Sequence, residues 1–267
     1  MKIGLLITVR LKSSRLAKKV LLPLSGKTVL EHVIERAKAI KGLDRVVVCT
    51  STNPQDRPIA EIALASGVHC YQGSEEDVIQ RLTTAAQFHE LDGFISITAD
   101  NPLFSVSHAE KLLAEAQKSK ADLIEVTNVP LGMATYFLLT KAVVAVCKMK
   151  NVSDTEFWPV LIKRPELFTL ETLDGGLKDI EHWRLTLDIE DDYKLFQAVY
   201  NAIPSSPYLK EEDAISYLRA HPEVLALNSH YKRTWLDSDT IAKIDKHFQS
   251  SLESHKRIKQ EVYGEGS

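Results

Sequence analysis

Cysteine is scarce in this chain: Cys49, Cys70 and Cys147 are the only three in 267 residues. None stands in CxxC spacing and each falls in or beside an apolar run. That argues against a disulfide framework or a zinc site and for small core residues in a reducing compartment. An excess of positive charge is missing too. Lys and Arg number 33 against 36 Asp and Glu, a net charge of −3, so the broad basic footprint of a nucleic-acid binder is absent. No apolar stretch approaches the length of a membrane span. A strand begins within two residues of Met1, which leaves no room for a signal peptide, and a cytoplasmic location is expected. There is no Walker A loop, no GxGxxG turn, no catalytic triad, no internal repeat and no low-complexity linker.

What the chain does have is a concentrated cluster of cations. The apolar run Ile3-Gly4-Leu5-Leu6-Ile7-Thr8 leads into Arg10-Leu11-Lys12-Ser13-Ser14-Arg15-Leu16-Ala17-Lys18-Lys19. Five cations and two hydroxyls thus follow the first strand of what reads as an α/β sheet. Ligands of open α/β sheets bind outside the carboxyl ends of the strands. Arg offers phosphate a planar pair of donors and Lys a mobile point charge, so the loop points to nucleotide triphosphate chemistry. A solvated surface loop is the competing reading.

Strand and helix patterns alternate over the first half. Helical spacing covers residues 25–40, 58–65 and 74–89, and strand patterns cover 45–49, 68–71 and 93–98, a rhythm that predicts βαβ units and a mainly parallel sheet. The second half is less regular. Residues 121–127 and 134–139 read as strands, 140–149 and 154–164 as helices, 182–188 as a strand and 191–202 as a helix. A further helical segment follows Pro207, and 226–231 reads as extended. From Asp237 the sequence is polar and helical in pattern.

Two acids stand at strand ends. Asp100, in Thr98-Ala99-Asp100-Asn101-Pro102, and Asp188, in Arg184-Leu185-Thr186-Leu187-Asp188, are the candidates for holding Mg²⁺, which takes one or two carboxylates beside phosphate oxygens and water. A turn or cap aspartate is the competing reading of Asp100. Asp191 and Asp192 read as caps of the following helix. Arg81 could reach a substrate, against the commoner reading of an exposed helical arginine. His108 and His182 read as surface or strand-edge residues, and Trp158 as either a pocket wall or core.

At these residues the chain resembles the cytidylyltransferase family that includes the spore-coat polysaccharide, CMP-Kdo and CMP-sialate enzymes, the spore-coat branch most of all. The family pattern A-R-x-G-S-[ST]-R-L-P-G-K-x-L meets Val9-Arg10-Leu11-Lys12-Ser13-Ser14-Arg15-Leu16-Ala17-Lys18-Lys19-Val20-Leu21. Gly73-Ser74-Glu75-Glu76-Asp77-Val78 with Arg81, the Asp100 motif and the Asp188 motif match as well. The resemblance, over about residues 1–202, implies an α/β nucleotide-diphosphosugar transferase fold (Rossmann-like, GT-A type), with a mixed, mainly parallel sheet flanked by helices. It implies Mg²⁺-dependent transfer of CMP from CTP to a sugar, an acidic 2-keto sugar foremost, with release of pyrophosphate. A CDP-linked product from a small phosphorylated acceptor, a related glycosyltransferase and a non-catalytic binder are the alternatives. Against the glycosyltransferase, the one DxD spelling, Asp237-Ser238-Asp239, lies in the polar tail; against the non-catalytic binder, both acids and the main cations are retained.

Carried over by position, Arg10, Ser13, Arg15 and Lys19 would bind the triphosphate, with Arg15, Lys19 and Asp100 catalytic. Ser74 and Arg81 would lie near the nucleotide or acceptor, and Asp100 and Asp188 would hold the metal. The expected organisation is a nucleotidyltransferase domain over 1–230 and a polar helical tail over 231–267. Relatives suggest a homodimer, with 134–164 as the candidate surface. The chain departs from the pattern at Lys12, Ala17 and Lys18, where Gly, Pro and Gly are usual. Ala99 replaces a glycine, and Glu156 stands where a histidine is common.

Overall fold

The computed structural model describes residues 1–13, 15–204, 207–231 and 236–264. In chain order the elements are β1 (Ile3–Thr8), β2 (Pro23–Leu24), β3 (Lys27–Thr28), α1 (Val29–Ala39), β4 (Arg45–Ser51), α2 (Arg57–Ala65), β5 (His69–Gly73), α3 (Val78–Phe88), β6 (Gly93–Thr98), α4 (Val106–Ala116), β7 (Leu123–Thr127) and β8 (Tyr136–Leu139). There follow α5 (Thr140–Met149), α6 (Pro159–Ile162), β9 (Leu170–Asp174), α7 (Glu190–Ala202), α8 (Glu211–Ala220), α9 (Pro222–Ala226), α10 (Ser238–Ser250) and α11 (Leu252–Tyr263).

One seven-stranded sheet carries the fold in the order β5-β4-β1-β6-β8-β7-β9. The pairs β1–β4, β1–β6 and β4–β5 are parallel, β8 runs antiparallel to both β6 and β7, and β9 is parallel to β7. The mixed, mainly parallel sheet flanked by helices is the expected class. β1 lies near the middle with helices on both faces, which is why it reads as an unbroken apolar run rather than an alternating one. Its register aligns Thr8 with Cys49 on one side and Thr98 on the other, so the basic loop and the Asp100 turn leave the sheet at the same edge.

One face of the sheet is covered by α1, α2 and α4 and the other by α3 and α5, as the two large apolar clusters show. α1 begins with a capping box, Thr28 and Glu31 each bonding the other's backbone N–H. Its buried Arg36 donates to the carbonyl of Phe104 and to Glu211 Oε2, tying α1 to the start of α4 and to α8. A third cluster, Leu185, Leu187, Leu195, Phe196, Val199, Tyr200 and Leu218 among it, packs α7 and α8 beside the Asp188 segment.

The second half departs from the sequence expectations in four places, one being β9, a strand that the sequence pattern does not predict. Residues 182–188 form no strand beyond a single bridge between Leu131 and Arg184. The helix expected over 154–164 is confined to Pro159–Ile162, because Thr155 is drawn to the start of α3: its N–H bonds the Glu76 carbonyl, and its hydroxyl bonds Asp77 and the Ile79 N–H. The 226–231 segment turns back after α9 instead of extending. The C-terminal pair α10–α11 docks on the domain: Ile244, Phe248, Leu252, Ile258 and Val262 join the α3–α5 cluster, and Lys259 and Tyr263 both bond Asp122. This pair covers α5, in the middle of the 134–164 segment. No helix among the described residues is long and apolar enough to cross a membrane.

Candidate active site

Lys19 ties Asp100 and Asp188 together. Its Nζ lies 2.7 Å from Asp100 Oδ2 and 2.7 Å from Asp188 Oδ1. Arg15 Nη2 approaches Asp188 Oδ1 at 3.3 Å, and Arg184 Nη2 holds Oδ2 at 2.9 Å. The Thr98 hydroxyl bonds Asp100 Oδ1. Burial works against charge on Asp188, but Lys19, Arg15 and Arg184 outweigh it and hold the carboxyl below the ordinary aspartate range. Burial likewise opposes charge on Lys19, and the facing carboxylates raise its ammonium above the ordinary lysine value. Both groups are therefore ionised at neutral pH.

Asp188 reaches this position by a route other than strand pairing. Leu185 N–H bonds the Leu131 carbonyl at 2.7 Å, and Leu187 N–H bonds the Asp100 carbonyl at 2.8 Å. The approach needs Gly132, which has a φ of 98° and faces the Leu185 carbonyl. Asp192 then fixes the end of the segment. It is fully buried and accepts from the backbone N–H of Asp188 and Ile189, capping α7 as the sequence suggests. It also takes both Nε and Nη2 of Arg184 at 2.9 Å.

A second cluster forms where the basic loop faces the turn after β5. Arg10 Nη1 donates to the Glu75 carbonyl at 2.6 Å, and its guanidinium lies 3.6 Å from Glu76 and 3.8 Å from Glu156. Lys12 pairs with Glu76 at 2.8 Å, which raises the lysine's pKa and lowers the glutamate's. Arg81 is wholly buried rather than exposed. Its Nη1 donates to the carbonyls of Ser74 and Glu75, while its buried Nε and Nη2 have no hydrogen-bond partner among the described residues. Burial, and then Arg10, push its pKa down. Ser74 Oγ accepts from Asp77 N–H, and Ser13 Oγ from Leu16 N–H at 3.4 Å. Of the predicted site residues, Arg15, Lys19, Asp100 and Asp188 thus meet in one cluster and Arg10, Ser74 and Arg81 in another, with Ser13 in the loop that joins them.

Other expectations find places outside these clusters. His108 is buried against the Gly175 carbonyl, His182 is exposed, and Trp158 packs edge-on against Tyr136. Asp237 caps α10 through Thr240. Asp191 pairs with Lys194 at the surface.

Two residues support these clusters through long-range bonds that no local pattern in the sequence marks. Asp56, fully buried, accepts from Leu11 N–H at 2.8 Å and from the hydroxyls of Thr50 and Ser51, anchoring the start of the basic loop. Asp77 takes Thr155 Oγ1 and Lys150 Nζ, which brings Glu156 beside Arg10. The equal spacing of Arg184, Asp188 and Asp192 is the one local trace of the network around Asp188.

A cation loop thus faces paired acids at the carboxyl edge of a mainly parallel sheet, and the family match places the chain among the nucleotidyltransferases. Residues 5–262 match the family described as cytidylyltransferase, and the chain belongs to that family. It is 32% identical to an uncharacterised protein of Methanocaldococcus jannaschii over 87% of this chain and 97% of that protein. The spore coat polysaccharide biosynthesis protein SpsF of Bacillus subtilis is 24% identical over 82% of this chain and 94% of its own length. Among solved structures, a cytidylyltransferase from Leptospira borgpetersenii superposes with a TM-score of 0.79 at 24% identity, over 88% of this chain and all of that one. A CMP:2-keto-3-deoxy-manno-octonic acid synthetase complexed with CTP gives 0.60 at 16% identity, over 76% and 99%.

Proposed function

We propose that this enzyme transfers CMP from CTP to a sugar, foremost an acidic 2-keto sugar, releases pyrophosphate, and serves the synthesis of a surface polysaccharide or glycoconjugate. The observation that carries the reading is the single ammonium of Lys19 bridging Asp100 and Asp188. It marks a place, at the mouth of the cation loop, where two hard oxygen donors converge on positive charge. Such a donor set suits Mg²⁺, with the remaining positions taken by phosphate oxygens and water. The names of SpsF and of the octonic acid synthetase support the polysaccharide and the acidic acceptor respectively.

Asp100 and Asp188 would hold the metal, which when bound supplies charge to offset that developing on the phosphoryl oxygens. Arg10, Arg15 and Lys19 would bind the triphosphate, whose oxygens replace the carboxylates of Glu76, Glu156 and Asp188 now pairing with these cations. Ser13 would sit beside them, and Arg81, with Ser74, would shape the turn that faces the nucleotide. An acceptor oxygen attacks the α-phosphorus in line, the bond to the bridging oxygen breaks, and the pyrophosphate leaves against the loop cations. No covalent intermediate is needed.

Pyrophosphate release with each of the four NTPs, Mg²⁺, and a panel of sugar acids and small phosphates tests this reading. Release from CTP with a 2-keto sugar acid is expected. Release only with a phosphorylated acceptor would replace a CMP-linked product with a CDP-linked one, and CTP binding without release to any acceptor would overturn catalysis on this panel.

A further inference from the structure

Asn228 and Tyr231 lie just beyond α9, yet both reach the Asp188 cluster. Asn228 is buried, and its Nδ2 donates to Asp192 Oδ1 at 2.8 Å and to the Arg184 carbonyl at 3.0 Å. It thereby clamps the two residues that orient Asp188: Asp192, which holds the Asp188 N–H, and Arg184, which holds Oδ2. The Tyr231 N–H bonds the Asn228 carbonyl at 3.1 Å, which closes a turn. That turn lays the Tyr231 ring over Arg184, 4.7 Å from Cζ to centroid, and its hydroxyl accepts from Arg15 Nη1 at 3.2 Å.

We propose that Asn228 and Tyr231 are positioning residues with separable effects. Asn228 acts through Arg184 and Asp192 on the Asp188 carboxylate, and Tyr231 acts through its hydroxyl on Arg15. The proposal rests on the reading that Asp188 holds the metal and Arg15 the triphosphate. With Oδ2 fixed by Arg184, Asp188 presents Oδ1 toward Lys19 and Asp100, the orientation a shared cation requires. Magnesium tolerates little departure from octahedral geometry, so a carboxylate free to rotate binds it less well. Partners that orient ligating groups commonly affect metal affinity by about 10–100-fold. Arg15 is a long, partly exposed side chain, and a hydroxyl that holds its guanidinium reduces the ordering it must undergo when a phosphate arrives.

The test uses the full chain as Asn228→Ala, Tyr231→Phe and Asp188→Asn, with Mn²⁺ as the probe metal. Mn²⁺ binding is followed by electron paramagnetic resonance with CTP and no acceptor, CTP KM and kcat by pyrophosphate release, and folding by thermal melts. Asn228→Ala is expected to weaken Mn²⁺ binding about 10-fold. Tyr231→Phe keeps the ring over Arg184, and is expected to leave Mn²⁺ binding unchanged while raising CTP KM several-fold. Asn228→Ala in an Asp192→Asn background should add little, since the two act through one network. Equal losses in metal binding, KM and melting temperature for both variants would make the turn merely structural and overturn the proposal, as would wild-type values for both. If Asp188→Asn also leaves Mn²⁺ binding intact, the metal reading itself fails and the Asn228 half falls with it, while CTP KM in Tyr231→Phe still decides the other half.

Discussion

A Cβ placed on Gly132 would lie 1.9 Å from the carbonyl oxygen of Leu185. Backbone meets backbone there, and no side-chain rotation relieves it. The contact sets the path of residues 183–188 and hence the position of Asp188. Gly132→Ala combines this clash with a φ of 98° that disfavours any Cβ. It should destabilise the protein by about 4 kcal/mol or more, at the severe end for single substitutions. Urea unfolding checks this, and a loss of less than 1 kcal/mol would mean that the segment slides freely.

Asp100→Asn removes one of the two carboxylates beside Lys19 and leaves Asp188 to hold the ammonium. The fold should survive, with kcat for pyrophosphate release falling by about 10²-fold or more, the scale seen when a charge-stabilising group is lost from an active site. Full activity at ordinary Mg²⁺ would remove Asp100 from the metal site.

Lys18 occupies the left-handed region, φ 51°, where the resemblance has glycine. The loop therefore keeps a glycine-like backbone path with a lysine in it. That conformation costs a side-chain-bearing residue roughly 1–2 kcal/mol. Glycine returns part of this gain through the greater freedom of its unfolded chain. Lys18→Gly should stabilise by under about 1 kcal/mol and raise the melting temperature slightly, and a lower melting temperature would contradict the strain argument.

Asp56 satisfies a backbone N–H and two hydroxyls in a fully buried setting. Asp56→Ala should cost about 3 kcal/mol by stranding those donors and should also raise CTP KM, because Leu11 N–H is the anchor of the cation loop. Unfolding and steady-state kinetics measure the two effects separately, and a stability loss with unchanged KM would detach the anchor from nucleotide binding.

The Lys19–Asp188 pair predicts a broad pH plateau. A depressed carboxyl contributes stability above its unfolded pKa of about 3.9 and loses it as pH falls through the lower folded value. A raised ammonium contributes fully below about 10.4 and loses it as pH rises through the higher folded value. The stability difference between wild type and Asp188→Asn should stay constant from about pH 5 to pH 9 and shrink below about pH 4. A difference that changes between about pH 6 and 8 would point to another group in the cluster.

Local pattern was sufficient wherever a functional group follows directly on a strand or opens a helix. The apolar run of β1 and the cations after it could be read from the sequence, as could Asp100 after β6 and the capped start of α3, because period and turn chemistry are properties of a few neighbouring residues. Residues 182–188 have a strand pattern but form no strand. Their apolar character comes from packing against α7 and α8, and their backbone bonds go to Leu131 and Asp100 instead of to a strand.

By itself, then, the sequence determined an α/β sheet with a cation loop at its carboxyl edge and the residue types of a nucleotidyltransferase. Only the tertiary structure decided which acids face which cations. Lys19 and Asp188 stand 169 positions apart, Asp56 grips Leu11 across 45, and Asn228 and Tyr231 return to the site from beyond α9. Contacts at such separations are set by how helices and loops pack on the sheet, and no window of neighbouring residues encodes them.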